Sequence, residues 1–456
     1  MIHPYQCNGY NIILDANSGS IHSVDEVAYD VICRYESQPQ DMIIKEMLEK
    51  YSHLPDVTEK ELLELFDDIE ALKEQGKLFF EDPYADVAFD FKNRQSVVKA
   101  LCLHIAHDCN LTCTYCFAGE GEYCGARSLM SFEVGKQALD FLIANSGSRI
   151  NLEVDFFGGE PLMNWDVVKR LVAYGREQEA IHHKRFRFTL TTNGVLLDDE
   201  VMEFANREMS NVVLSIDGRK EVHDRLRKSR NGKGSYNLIL PKFIKMAESR
   251  HQKDYYVRGT YTHFNTDFTN DILHLADLGF KEISMEPVVA PPTAEYALTE
   301  ADIPTLCEEY ERLAVEMLKR KKEGRDFHFF HYTIDLTGGP CIVKRISGCG
   351  VGTEYLAVTP EGDLYPCHQF VGDEKYIMGN VRDGITNFDV QNEFKMCNVY
   401  AREKCKDCFA RLYCSGGCAA NAYHTHGTIR ETYDLGCELH KKRVECAIMM
   451  KVAENS

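Results

Sequence analysis

The stretch LCLHIAHDCNLTCTYCF, residues 101–117, decides how this chain is read. LCLHIAH is an apolar run of strand length, and Cys109, Cys113 and Cys116 follow at once, separated by three residues and then two. Proteins of the α/β class gather reactive residues where strands end, and these cysteines fall there. Structural zinc wants four protein ligands in a closed tetrahedron, whereas this loop offers three soft ones and no histidine at suitable spacing. An absent fourth ligand leaves an open coordination position. In an iron-sulfur cube held by three thiolates, the fourth iron is free to bind a substrate or cofactor. A zinc ion borrowing a distant ligand is the alternative.

Outward from this stretch, short strands alternate with amphipathic segments. LEVDFF (152–157), FRFTLTTN (186–193), NVVLSID (211–217), YYVRGTY (255–261) and KEISMEP (281–287) read as five further parallel strands. That is βα-unit grammar, either a barrel or an open sheet. A helix, LCEEYERLAVEMLKRKKEG, follows and turns at Gly324.

The first 80 residues read as a separate unit. YNIILD (10–15) and SIHSV (20–24) flank the turn-rich ANSGS as a hairpin. Three helices follow, the third marked by a Thr58/Glu61 capping box, an apolar stripe from Leu62 to Leu72, and Gly76 as its stop. KLFF (77–80) reads as a short strand, and a polar connector leads to residue 100.

A length of 456 residues implies two or three domains. The formal charge of −19 disfavours a nucleic-acid partner, since such binding depends on Lys and Arg displacing counterions. No apolar run reaches membrane-spanning length and the N-terminus lacks a secretory layout, so a cytoplasmic protein without a membrane partner is expected. In a reducing compartment, short-spaced cysteines read as metal sites rather than disulfides. Cys7, Cys33, Cys102, Cys124, Cys307, Cys397 and Cys446 stand apart and are expected to be small buried hydrophobes. The others cluster late in the chain: Cys349 and Cys367 bracket a glycine as CX12GX4C, Cys405, Cys408, Cys414 and Cys418 form CX2CX5CX3C, and Cys437 follows. This irregular last third is not expected to rest on a large apolar core alone, so metal centres would hold part of it together.

Cys109, Cys113 and Cys116, with Tyr115 before the last, resemble the CX3CXΦC loop of the radical S-adenosylmethionine (SAM) superfamily. The resemblance implies a cluster whose open iron chelates SAM and cleaves it to a 5′-deoxyadenosyl radical. It implies cofactor contacts from Tyr115, from Gly158, Gly159 and Glu160 of GGEP, from Asn193 beside Gly194, and from Ser215 with Asp217. Arg227 of HDRLR would pair with the methionine carboxylate, and Val288 would pack near the adenine. The late cysteines resemble the SPASM extension. By that pattern Cys405, Cys408, Cys414 and Cys437 hold one auxiliary cluster, and Cys349, Cys367 and Cys418 hold the other, with Cys341 or an open site as the fourth position. Three 4Fe-4S clusters are thus implied.

The acidic residue that sulfatase-modifying relatives carry directly after the second cysteine of the first auxiliary motif is here His368, a base or a turn cap. The N-terminal unit resembles a winged-helix-like element that takes a leader peptide as an added strand. The whole chain is similar to thioether-forming maturases of the sactipeptide and ranthipeptide type that act on cysteine-rich SCIFF precursors. The implied fold is α/β: a recognition element (1–82), a linker (83–99), a partial (β/α)6 TIM-like barrel (100–325) and a SPASM domain (326–456). The expected partners are a ribosomally made cysteine-rich precursor peptide and a one-electron donor protein. Carbon–carbon crosslinking or side-chain oxidation is the alternative chemistry, and a non-enzymatic electron carrier the alternative class.

Overall fold

The computed structural model describes residues 1–86, 91, 94–123, 125–336 and 341–455; Cys124 and parts of the connector lie outside the described residues. Three antiparallel strands open the chain, β1 (Ile2–Cys7), β2 (Tyr10–Asp15) and β3 (Ile21–Val24), in the order β1-β2-β3. The hairpin read from the sequence is β2–β3, and β1 is a strand that reading missed. Helices α1 (Glu26–Arg34), α2 (Gln40–Lys50) and α3 (Glu59–Glu74) follow, and Thr58 caps α3 by accepting from Glu61 N at 3.2 Å. Ile13, Val31, Ile43, Met47, Leu62, Phe66 and Ile69 form a core of their own. The opposite face of the sheet, with Tyr5, Cys7, Ile12 and Leu14, packs into the main core. KLFF is not a strand: buried Asp15 accepts from Phe80 N through Oδ2, and Phe80 O accepts from Asn17 Nδ2 at 2.7 Å, so side chains rather than a ladder satisfy this backbone.

The central part is built on β4 (Ala100–His107), followed by the short β5 (Leu111–Cys113) and β6 (Ser128–Leu129). Then come α4 (Phe132–Asn145), β7 (Asn151–Gly158), α5 (Trp165–His182), β8 (Arg185–Thr192), α6 (Asp199–Glu208) and β9 (Met209–Ser215). Next are α7 (Lys220–Leu226), β10 (Arg227–Ser229), α8 (Tyr236–Ser249), β11 (Tyr255–Tyr261), α9 (Thr269–Asp277), β12 (Glu282–Pro287), α10 (Ile303–Lys322) and β13 (His328–Phe329). The six strands expected from the sequence, β4, β7, β8, β9, β11 and β12, pair in parallel in that order. The sheet stays open, because β12 continues to β13 and β4 to a later strand. One face carries Leu152, Val154, Phe156, Phe188, Leu190, Val212 and Val257 into the main core. The alternate residues, among them Thr189 and Tyr256, line a cavity on the other face.

The last third is more regular than its sequence. After α11 (Ile342–Ser347), β14 (Tyr355–Val358) pairs in parallel with β4, and β15 (Asp363–Tyr365) and two shorter strands extend the sheet. The C-terminal helix, Asp434–Asn455, buries Leu439, Val444, Cys446, Ile448 and Met449 in the main core beside α10. Part of this segment thus shares the main core with the central sheet, so apolar packing supports the last third more than its irregular sequence suggests. No helix among the described residues is long and apolar enough to cross a membrane.

Candidate active site and auxiliary centres

The cysteine loop leaves β4 and is held open from three sides. β5, which ends at Cys113, pairs antiparallel with β10, placing Arg227 opposite Cys113. Thr114 N donates to Leu226 O at 2.9 Å, and Asn193 Nδ2 bonds Asn110 Oδ1 at 2.7 Å and Cys109 Sγ at 3.6 Å. The three thiols feel one another's charge, and burial pushes Cys109 up to about 12 and Cys113 up to about 11. Thiolates so placed need a bound cation, and metal binding deprotonates them. No three His, Cys, Asp or Glu among the described residues converge on a single-ion position. Three soft thiols on one loop fit an iron-sulfur cube.

The GGEP turn packs against the start of this loop. A Cβ on Gly158, where φ is +117°, would lie 2.4 Å from Ala106 O, and one on Gly159 would lie 2.1 Å from Asp108 O. These glycines thus permit a close approach to the chain's own backbone. We expect Gly158→Ala to lower stability by about 2 kcal/mol through strain and overpacking and to reduce bound iron, measurable by thermal melting and iron analysis. Glu160 is buried; it accepts from Thr192 Oγ1 at 2.7 Å, Asn193 N at 2.8 Å and Leu162 N at 3.1 Å. Burial outweighs these bonds and lifts its carboxyl to about 7. Its first role is to tie the turn to the end of β8.

A network absent from the sequence reading organises the far side. Asp217, fully buried, accepts from Tyr115 OH at 2.7 and 2.9 Å, from Thr260 N at 3.1 Å and from Arg227 Nε at 3.0 Å. Arg227 also lies 5.5 Å over the Tyr115 ring. The Arg227 guanidinium donates to Asp217 through Nε, and Arg227 O accepts from Ser235 Oγ at 2.9 Å. Ser215 ends β9, half-buried, and Val288 is buried just past β12. His104, His107 and Tyr123, not foreseen, form a buried cluster: the two imidazoles meet at 3.0 Å, and Tyr123 stacks on His107, lies tilted against His104 and donates to Gly158 O at 3.1 Å. No spacing rule marks such a cluster.

The late cysteines separate into two groups. Cys405, Cys408, Cys414 and Cys437 line one cavity of about 310 Å3 and act on one another electrostatically. Cys418 acts instead with Cys349 and Cys367. Cys341 is exposed and lines a different cavity, with Arg94, Lys99 and Lys344. The His368 ring meets Tyr355 OH through Nδ1 at 3.4 Å and lies 5.1 Å from Phe157 and 5.5 Å from Phe117. Burial and the charge of Arg258 hold it down at about 4, so it is neutral at neutral pH.

Residues 103–278 match the Radical SAM superfamily, and residues 349–409 match SPASM, an iron-sulfur cluster-binding domain. The chain is a radical SAM protein with a SPASM domain. The cysteine-type anaerobic sulfatase-maturating enzyme of Clostridium novyi (strain NT) is 26% identical over 334 residues, 69% of this radical SAM chain and 86% of the relative. The radical SAM cyclopropyl synthase TigE of Paramaledivibacter caminithermalis is 22% identical over 379 residues, 75% and 72% of the two chains. In fold, the chain resembles anSMEcpe with bound AdoMet at a TM-score of 0.67 and 22% identity, over 79% of this chain and 96% of that one. It also resembles Streptococcus suis SuiB bound to precursor peptide SuiA, at a TM-score of 0.54 and 16% identity, over 94% and 96%. The SuiB match is too extensive to leave out residues 1–82, so it includes most of the N-terminal unit.

Proposed function

We propose that this radical SAM protein installs an intramolecular thioether between a cysteine sulfur and a carbon of an acceptor residue in a ribosomally made, cysteine-rich precursor peptide. The observation that carries this reading is one chain joining a three-thiolate loop and two further cysteine groups to an N-terminal sheet whose β3 edge is unpaired. The likeness in fold to SuiB, which is bound to a precursor peptide, supports it.

The bound groups would be SAM and three 4Fe-4S clusters, supplying hydrogen abstraction by a 5′-deoxyadenosyl radical and removal of the surplus electron. Cys109, Cys113 and Cys116 would hold the first cluster. Cys349, Cys367 and Cys418 would hold the second, and Cys405, Cys408, Cys414 and Cys437 the third. The Arg227 guanidinium suits a methionine carboxylate. Asp217 sets that guanidinium and the Tyr115 ring in place, and Glu160 and Asn193 fix the turn opposite. The buried walls exclude water from a radical site. Residues 1–82 would take the leader on the β3 edge, 83–99 link it, 100–325 form the barrel and 326–456 the SPASM domain; electrons would come from a one-electron donor protein.

Because Cys341 is exposed and lines a different cavity, Cys341→Ser is expected to keep its full iron, whereas Cys418→Ser loses about four iron atoms per chain, the content of one cube. Iron analysis of the two purified variants decides this. The function itself is tested by anaerobic reconstitution with SAM, dithionite and cysteine-containing peptides from the reading frames flanking the coding sequence. A thioether appears as loss of two hydrogens together with blocked alkylation of one thiol. Loss of two hydrogens with every thiol still alkylated would instead mark carbon–carbon crosslinking or side-chain oxidation, a reading the likeness to TigE keeps open.

A further inference from the structure

The face of the sheet turned away from the helices carries an exposed arginine, Arg258, on β11. Along β11, Tyr255, Val257, Gly259 and Tyr261 are buried, while Arg258, on the other face, is exposed. Its backbone is fixed: it lies opposite Ser215 on β9 and Ser284 on β12, and its carbonyl accepts from Ile216 N at 2.9 Å. Two residues on, Thr260 N donates to Asp217, so Arg258 sits about 7 Å along the strand from the network that holds Tyr115 and Arg227.

Its charge acts on Glu286, whose carboxyl it helps hold low, and on His331 and His368. Glu286 is already committed, at 3.4 Å to Arg443 and 3.4 Å to His331. Burial and the charge of Arg443 hold His331 down at about 3. Asp155, another carboxyl of this face, is bonded to Thr189 and lifted to about 6 by burial. Among the described residues Arg258 makes no ion pair and no side-chain hydrogen bond. The contrast is with Arg219, Arg227 and Arg443, each held by a carboxylate.

An exposed guanidinium fork without a carboxylate at ion-pair distance can receive a planar anion bidentately. We infer that Arg258 anchors a carboxylate of the peptide substrate beside the reacting segment, and so helps determine which peptides are accepted. This rests on the reading that a peptide binds at this face. The carboxylate can belong to an Asp or Glu side chain or to the peptide's C-terminus, and one experiment separates them.

Fluorescein-labelled, cysteine-containing octapeptides, with one internal Asp or Asn and a free or amidated C-terminus, are titrated by anisotropy against oxidised holoenzyme. Wild-type protein should prefer one carboxylate form over its neutral counterpart by about tenfold. Arg258→Gln should lose that preference and Arg258→Lys should keep part of it, with iron content and peptide-free 5′-deoxyadenosine release unchanged in both. Preference for internal Asp assigns the side chain, and preference for the free acid assigns the terminus. The inference is overturned if wild type shows neither preference, or if Arg258→Gln retains it. Because this is a binding measurement, it is independent of whether any peptide acquires a thioether: a carboxylate preference without product would sink the proposed reaction and not the anchor.

Discussion

Replacing Cys113 by alanine is expected to abolish release of 5′-deoxyadenosine and to remove about four iron atoms per chain, the content of one cube, while the auxiliary centres stay loaded. The effect should be complete because the loop supplies three thiolates and no spare. No further Cys or His among the described residues joins Cys109, Cys113 and Cys116 to complete a single-ion site. The backbone pairing of β5 with β10 does not depend on the Cys113 sulfur, so the variant should fold and melt near wild type. Iron analysis, electron paramagnetic resonance of the reduced protein and chromatography for 5′-deoxyadenosine read the three consequences separately. Retention of SAM cleavage by Cys113→Ala would mean that the open iron lies elsewhere.

The second large effect is expected at Asp217. Its carboxylate answers one buried guanidinium, one buried hydroxyl and one backbone N–H at once. Asp217→Ala leaves the Arg227 charge uncompensated in a site where its side chain is only 12% exposed. Breaking a buried pair in this way costs about 3–5 kcal/mol. Tyr115 loses its anchor in the same step, so SAM affinity should fall at least as steeply as stability. Asp217→Asn keeps acceptor capacity without the charge and should recover part of the stability but little of the SAM binding. Equilibrium unfolding and SAM titration of both variants test this; an Asp217→Ala protein that melts and binds like wild type would refute the network's role.

The sequence was most informative where local periodicity and ligand spacing carry the signal. The six parallel strands agree with the structure to within two residues at each end, because apolar runs between turn residues have few other uses. The grouping of Cys418 with Cys349 and Cys367, apart from its sequence neighbours Cys405, Cys408 and Cys414, was legible only through resemblance to a family pattern. What stayed hidden was tertiary. β1 and the C-terminal helix cover the two sides of one core, and Tyr5 OH donates to Glu445 O at 3.1 Å across a separation no window spans. KLFF has strand composition, yet the charge of Asp15 claims its backbone. Asp217 lies ten residues from Arg227 and far from Tyr115 in sequence, and only the fold of β9 and β10 brings the three together.

The most direct test mixes anaerobically purified, iron-loaded protein with SAM and dithionite and follows 5′-deoxyadenosine against time. Equimolar methionine and 5′-deoxyadenosine, formed without any peptide and faster with one, is the expected result. Protein that carries only zinc, or that holds its full iron, is reduced and still yields no 5′-deoxyadenosine, would contradict an open iron at Cys109, Cys113 and Cys116.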